Sequence, residues 1–325
     1  VLQVILSIAL ALGITASARQ AATVDAPPAL SEQELQDIYS RVIMLQDTFA
    51  AESLQPMGIY VRDGALRVMV RNRYNHREQP DGKRLESLGN ALYAAAGRPF
   101  PLVLEPYSSP EQPEIEGRIT AIDEALGRVL IVDAVNRLPN GAPGAVWAKM
   151  YEDGIIVRAS DRKELTFRDL ALGQRVEAWS YGIILSSYPG QTELLELSVT
   201  DQPEEEDPYI PVTSILGSDL EQVAKIEVRY GDGSRLTIED SYTIGLIVHR
   251  HLRLLVLQPC EGPERTSGYL YKIHLEVGNQ TLAYSSDLQF GADRYKPNGE
   301  TEKLDDFIVQ YGREHIPGLL PGIDR

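Results

Sequence analysis

Two proline-containing stretches constrain this chain more than any other feature: Tyr107-Ser-Ser-Pro-Glu-Gln-Pro113 and Gln202-Pro-Glu-Glu-Glu-Asp-Pro208. Proline removes a backbone donor and fixes φ, and the like charges from Glu204 to Asp207 repel one another. Both stretches therefore read as exposed, semi-stiff linkers. The acidic run lacks the spaced Asp/Asn–Gly pattern of a calcium loop, so it is read as linker and not as a metal site. The 325 residues divide accordingly into 1–18, 19–112, 113–202 and 203–325. The expected fold class is α+β multidomain: a small α/β sheet domain, a central OB-like all-β barrel, and a C-terminal α+β sheet domain.

Residues 1–18, VLQVILSIALALGITASA, hold an apolar run closed by Ala16-Ser17-Ala18. That is the pattern of a secretory core followed by a small-residue cleavage site, so 1–18 is expected to be a signal peptide, with a membrane anchor as the alternative. The expected location is secreted or cell-envelope associated, with no stable membrane insertion once the segment is cleaved.

The unit 19–112 opens on Ser31-Glu-Gln-Glu34, a capping box, and Leu35, Ile38, Val42, Leu45 and Phe49 then mark one helical face. Alternating runs 57–62 and 66–72 meet at Asp63-Gly64, a hairpin signal. A second helix has Leu85, Leu88, Leu92 and Ala95 on one face and stops at Gly97, and a strand over 101–107 follows. The order is α-β-β-α-β.

Residues 113–202 are nearly all strand, with short β-type runs at 115–122, 129–133, 146–151, 155–158, 174–180 and 194–200. Turn signals such as Asp153-Gly154 separate them at the spacing of a small barrel or sandwich. Within this stretch stand Glu116-Gly-Arg-Ile-Thr-Ala-Ile-Asp123, Arg128-Val-Leu-Ile-Val-Asp133, Phe167-Arg-Asp-Leu-Ala-Leu-Gly-Gln-Arg-Val176 and Ser187-Tyr-Pro-Gly-Gln191. Together they resemble the domain-of-unknown-function family 3221 over residues 114–202. The resemblance implies a small OB-type barrel and an exported setting in Gram-positive bacteria. No catalytic residues are established for that family, so it brings none to this chain.

The unit 203–325 begins with strands at 224–230 and 236–239 around Gly231-Asp-Gly233. The run after Asp240-Ser241 carries Ile244, Ile247, Val248, His251 and Leu255 on one helical face, yet is apolar enough for a buried strand, and periodicity leaves both open. A hairpin over 269–285 turns at Gly278-Asn279, and a closing helix presents Leu304, Phe307, Ile308 and Tyr311.

Acidic residues outnumber basic ones 47 to 31, a formal net charge of -16, which argues against nucleic acid as a partner. One cysteine, Cys260, excludes an internal disulfide, and its acidic neighbours Glu261 and Glu264 disfavour the thiolate a nucleophile needs. Hydrolase, phosphate-loop and zinc-helix signatures are absent, no catalytic residues and no cofactor are assigned, and no metal site is assigned. His249 and His251 would share a face only on a strand, and Arg250 and Arg253 between and beyond them repel a cation.

One cluster concentrates positive charge. With Leu66, Val68 and Val70 turned to the core, Arg67, Arg71 and Arg73 fall on the opposite face of one strand, near Arg62 and Tyr60. Guanidinium forks suit phosphate or carboxylate oxygens, so these five are the candidate anion-binding residues. The expected function is that of an exported, non-catalytic binding or accessory protein whose partner is a cell-envelope polymer or an exported protein. The alternative is an extracytoplasmic hydrolase with paired carboxylates in an interdomain cleft.

Overall fold

A computed structural model describes residues 30–200, 208–261 and 268–323. The expected leader at 1–18 and most of the second linker lie outside those residues. The described residues form two compact units, divided between Ser109 and Pro110. Among the described residues no helix is long and apolar enough to cross a membrane.

The first unit contains α1 (Glu32–Val42), α2 (Gln46–Ala51), β1 (Leu54–Arg62), β2 (Ala65–Asn72), α3 (Gly82–Ala96) and β3 (Leu102–Pro106). The expected capping box forms: the Glu34 amide donates to Ser31 Oγ at 3.3 Å and the Ser31 amide to Glu34 Oε2 at 2.9 Å. The Ser31 amide, the Ser31 hydroxyl and Arg98 hold the Glu34 carboxyl down at about 2. The helical stripe that runs in sequence from Leu35 to Phe49 is broken between Val42 and Gln46, so α1 and α2 are separate. The turn at Asp63-Gly64 joins β1 to β2 antiparallel, and β3 adds parallel to β2. On α3 the buried face is Leu88, Leu92 and Ala96, spaced by one helical turn; Ala95, expected on that face, is exposed.

The second unit starts with β4 (Ile115–Asp123), β5 (Arg128–Arg137), β6 (Pro143–Arg158), β7 (Glu164–Leu165), a 3-10 turn at Phe167–Asp169, β8 (Arg175–Leu185) and β9 (Gly190–Val199). β4 pairs with β5 and β8, β5 with β6, and β8 with β9, all antiparallel; β6 lies parallel to β9 and closes a five-stranded barrel. Asp153-Gly154, expected to separate two strands, instead lies inside the single strand β6. The register shifts between Met150 and Ile155, and a Cβ on Gly154 would stand 2.4 Å from the Leu194 carbonyl oxygen. Glycine here marks a bend where two backbones touch.

The chain continues through β10 (Ile210–Pro211), α4 (Val212–Leu216), β11 (Val223–Tyr230), β12 (Arg235–Ile238) and α5 (Ser241–Gly245). A π-helical turn (Leu246–His251) and a 3-10 turn (Leu252–Leu254) extend α5, and β13 (Val256–Pro259) follows. The open question over 241–257 is thus resolved as helix through Leu254 and strand from Val256. β14 (Tyr271–Val277), β15 (Gln280–Ser285), β16 (Gln289–Phe290), β17 (Asp293–Lys296) and α6 (Gly299–His315) complete the fold. One sheet has the order β12-β11-β14-β15 and a smaller one β10-β13-β17-β16. α6 is fastened to the larger sheet: Tyr230 Oη donates to the Ile308 carbonyl at 3.1 Å and Tyr271 Oη to Asp305 at 2.8 Å.

The barrel is buried on two sides. Ile119, Val129, Ile131, Leu194 and Leu197 fill its interior. Ala121, Leu130, Val132 and Ala145 point outward into a second buried cluster with Leu254 and Val256. Barrel and C-terminal sheets, read in the sequence as two domains, therefore share a buried layer within one compact unit. That layer places the cationic segment 249–253 against the outer face of β5 and β6.

Candidate functional site

The arginine row of the first unit takes the expected alternation: Leu66, Val68 and Val70 are fully buried. The other face is not an open clamp. Arg67 Nη1 pairs with Glu105 Oε1 at 2.7 Å, its Nη2 lies 3.6 Å from Asp63, and Tyr60 Oη donates to Glu105 Oε2 at 2.9 Å. Burial and the Glu105 contact push the Tyr60 hydroxyl up from its ordinary pKa, and the Glu105 hydrogen bond pushes Arg67 up. Arg71 is 1% exposed and donates to the Asn72 carbonyl at 3.0 Å. The Arg73 guanidinium sits 5.9 Å from the Tyr74 ring, and exposed Arg62 lies 3.6 Å from Asp63. Carboxylates of the same unit already answer Arg62 and Arg67, and Arg71 is shut away from solvent.

A second cationic group assembles in the 110–325 unit, around a cavity of about 460 Å³ lined by Asp123, Arg128, Trp147, Tyr188, His249 and Arg253, with Arg250 and Glu221 at its wall. Asp123 ends β4 and Arg128 starts β5, so the turn between them brings the pair to 2.9 Å. The Leu126 amide also donates to Asp123 Oδ1 at 3.0 Å. Burial opposes ionisation of Asp123, but the Leu126 amide and Arg128 together hold its carboxyl below the usual range. The Arg128 guanidinium stands 4.5 Å from the Trp147 ring centroid, in cation–π contact across the β5–β6 ladder.

The helical segment after α5 supplies the opposite wall. His249 and Arg253, one turn apart, share a face. Arg253 is only 4% exposed. Its Nε donates to the Asp219 carbonyl at 2.6 Å and its Nη1 to His249 Nδ1 at 3.2 Å. Arginine has no acceptor, so Nδ1 of His249 carries no proton and Nε2 carries one in the neutral ring. Among the described residues no carboxylate is paired with Arg253, and burial lowers its pKa while Asp219, Glu221 and Asp123 oppose that from a distance. Arg250, exposed, donates from Nη1 to the Tyr188 carbonyl at 2.6 Å. Burial, with the nearby Glu300 charge, raises the Tyr188 hydroxyl to about 12, and that hydroxyl donates to the Pro143 carbonyl at 3.2 Å.

His249 and His251 stand on a helical turn and meet different neighbours: His249 meets Arg253, and His251 packs on Phe307 at 5.1 Å between centroids. Among the described residues no group of three or more His, Cys, Asp or Glu side chains is arranged to hold a metal. Sequence reasoning missed Arg128, Trp147 and Arg253 as partners. The one signal was the local excess of cations in His249-Arg-His-Leu-Arg253, within an otherwise acidic segment.

The imidazoles carry a pH prediction. Burial lowers His249 and His251 below histidine's ordinary 6.5, with Arg253 and Arg128 adding to the effect at His249. The unfolded chain therefore binds protons that the folded chain resists. Stability is fully present above about pH 6.5 and falls as the pH drops below it. Urea midpoints are expected to decline between pH 7.5 and 5, and to decline less in His251→Phe. Equal slopes for the two proteins would show that His251 is not a source of the loss.

No family model matches this chain, and neither does any curated protein or solved structure.

Proposed function

We propose that this chain is an exported, non-catalytic binding protein of the cell envelope, and that its ligand is anionic and enters the cavity beside Arg253. We also propose that the barrel is of OB type and that residues 114–202 form a domain of the kind found in family 3221. Pairing of the first barrel strand with the second and fourth, and of the third with the fifth in parallel, supports the OB reading. In such barrels the face of the second and third strands, with the first and last loops, is the ligand-binding surface. Here Asp123, Arg128, Leu130, Trp147, Tyr188 and Pro189 occupy that region.

The observation that carries the proposal is Arg253 itself. A buried guanidinium with no paired carboxylate is costly unless an anion arrives to answer it. Hydrolysis by paired carboxylates has less support, because Asp123 is bound to Arg128 and to the Leu126 amide.

Mass action supplies the test. A ligand that binds only the folded state stabilises it by RT ln(1 + [L]/Kd). Urea denaturation of the full chain is expected to shift upward with rising dimethyl phosphate at constant ionic strength, and to shift far less in Arg253→Met. Should that variant fold poorly, Arg250→Ala at the exposed rim is expected to halve the response or more. An equal shift in the wild type and both variants would refute the assignment.

A further inference from the structure

We infer that the cavity takes a singly charged oxyanion carrying organic substituents, a phosphodiester or a sugar carboxylate, in preference to a dianion. This rests on the anion-binding reading and narrows its ligand class. Three arginines and two carboxylates line the cavity, leaving one net positive charge. Arg128 is offset by Asp123 at 2.9 Å, so the excess belongs to Arg250 and Arg253 facing Glu221. A second negative charge on the ligand would exceed that single net positive charge, and the chain's net charge of -16 repels dianions more strongly at long range.

Donor geometry agrees. Arg253 uses Nε and Nη1 on the protein, and no acceptor among the described residues takes a hydrogen bond from Nη2. His249 has Nδ1 occupied as acceptor and so holds the Arg253 guanidinium in place on that wall. Arg253 Nη2, with Arg250 on the same wall, suits the oxygens of one delocalised oxyanion.

Size and wall chemistry call for substituents on the anion. A volume of about 460 Å³ lies in the range of organic ligands and is far larger than a bare ion needs. Leu130, Trp147 and Pro189 provide apolar flanks. Arg128 and Arg253 already stand within 6.0 Å of the Trp147 ring, so this indole is engaged by cations and does not offer itself to stack a base.

Isothermal titration of the full chain at pH 8 and fixed ionic strength separates the outcomes. The probes are dimethyl phosphate, glucuronate and inorganic phosphate, the last a dianion at that pH. Either monoanion is expected to bind at least tenfold more tightly than inorganic phosphate, and the stronger of the two identifies the source of the oxyanion. Inorganic phosphate binding as well or better would overturn the charge preference while leaving the anion site standing. Heat from none of the three would overturn the anion site beneath it.

Discussion

Gly117→Ala is expected to destabilise the 110–325 unit by about 3 kcal/mol, the combined scale of backbone strain and overpacking. Gly117 has φ of 155°, and a Cβ there would lie 2.4 Å from the Val132 carbonyl oxygen and 2.7 Å from its carbon. Both obstacles are backbone atoms of β5, so no rotamer change relieves the overlap. The residue sits where β4 turns from β8 toward β5, with Gly117 opposite Val176 and Arg118 opposite both Arg175 and Val132. A side chain would pry apart the strand that joins the two halves of the barrel. Urea denaturation measures the loss, and an unfolding free energy within about 0.5 kcal/mol of the wild type would show that the barrel is not closed as described.

Arg162→Ala is expected to cost about 3 kcal/mol, the lower end for breaking a buried ion pair. Glu196 on β9 is 1% exposed, and Arg162 grips it from a loop with Nη1–Oε1 at 2.6 Å and Nη2–Oε2 at 3.0 Å. The arginine side chain is 51% exposed, so water relieves part of the loss and the cost stays at the lower end. The hydrogen bond to Glu196 raises the pKa of Arg162 above its ordinary value. Removing both charges should hurt less than removing one: the double variant Arg162→Ala, Glu196→Leu is expected to recover much of the stability lost in Arg162→Ala. Additive losses in that double-mutant cycle would contradict the Arg162–Glu196 ion pair as the source of the loss.

Features written within a few residues of one another were legible in the sequence. Ser31 and Glu34, Asp63-Gly64 and the stop at Gly97 each encode a local hydrogen-bonding or dihedral requirement, and each forms as expected. Asp153-Gly154 misled because the same dipeptide serves a hairpin and a bend, and only the distant Leu194 carbonyl decides between them. The two-sided burial of β5 left a trace in its unbroken run Val129-Leu-Ile-Val132, which is the pattern of a strand covered on both faces. The arginine row was legible as an alternation. The pairing of Arg67 with Glu105 was not, because that depends on β3 adding parallel to β2 and joins residues 38 apart. The cavity is less legible still: Arg128, Trp147 and Arg253 meet only through the layer shared by barrel and C-terminal sheets.

A crystal structure of the full chain grown with dimethyl phosphate most directly tests the central claim, that an anion answers the buried Arg253. The phosphate is predicted to lie in the cavity within hydrogen-bonding distance of Arg253 Nη2. A cavity without the ligand, and phosphate instead seated on the Arg67, Arg71 and Arg73 face of the first unit, would contradict it.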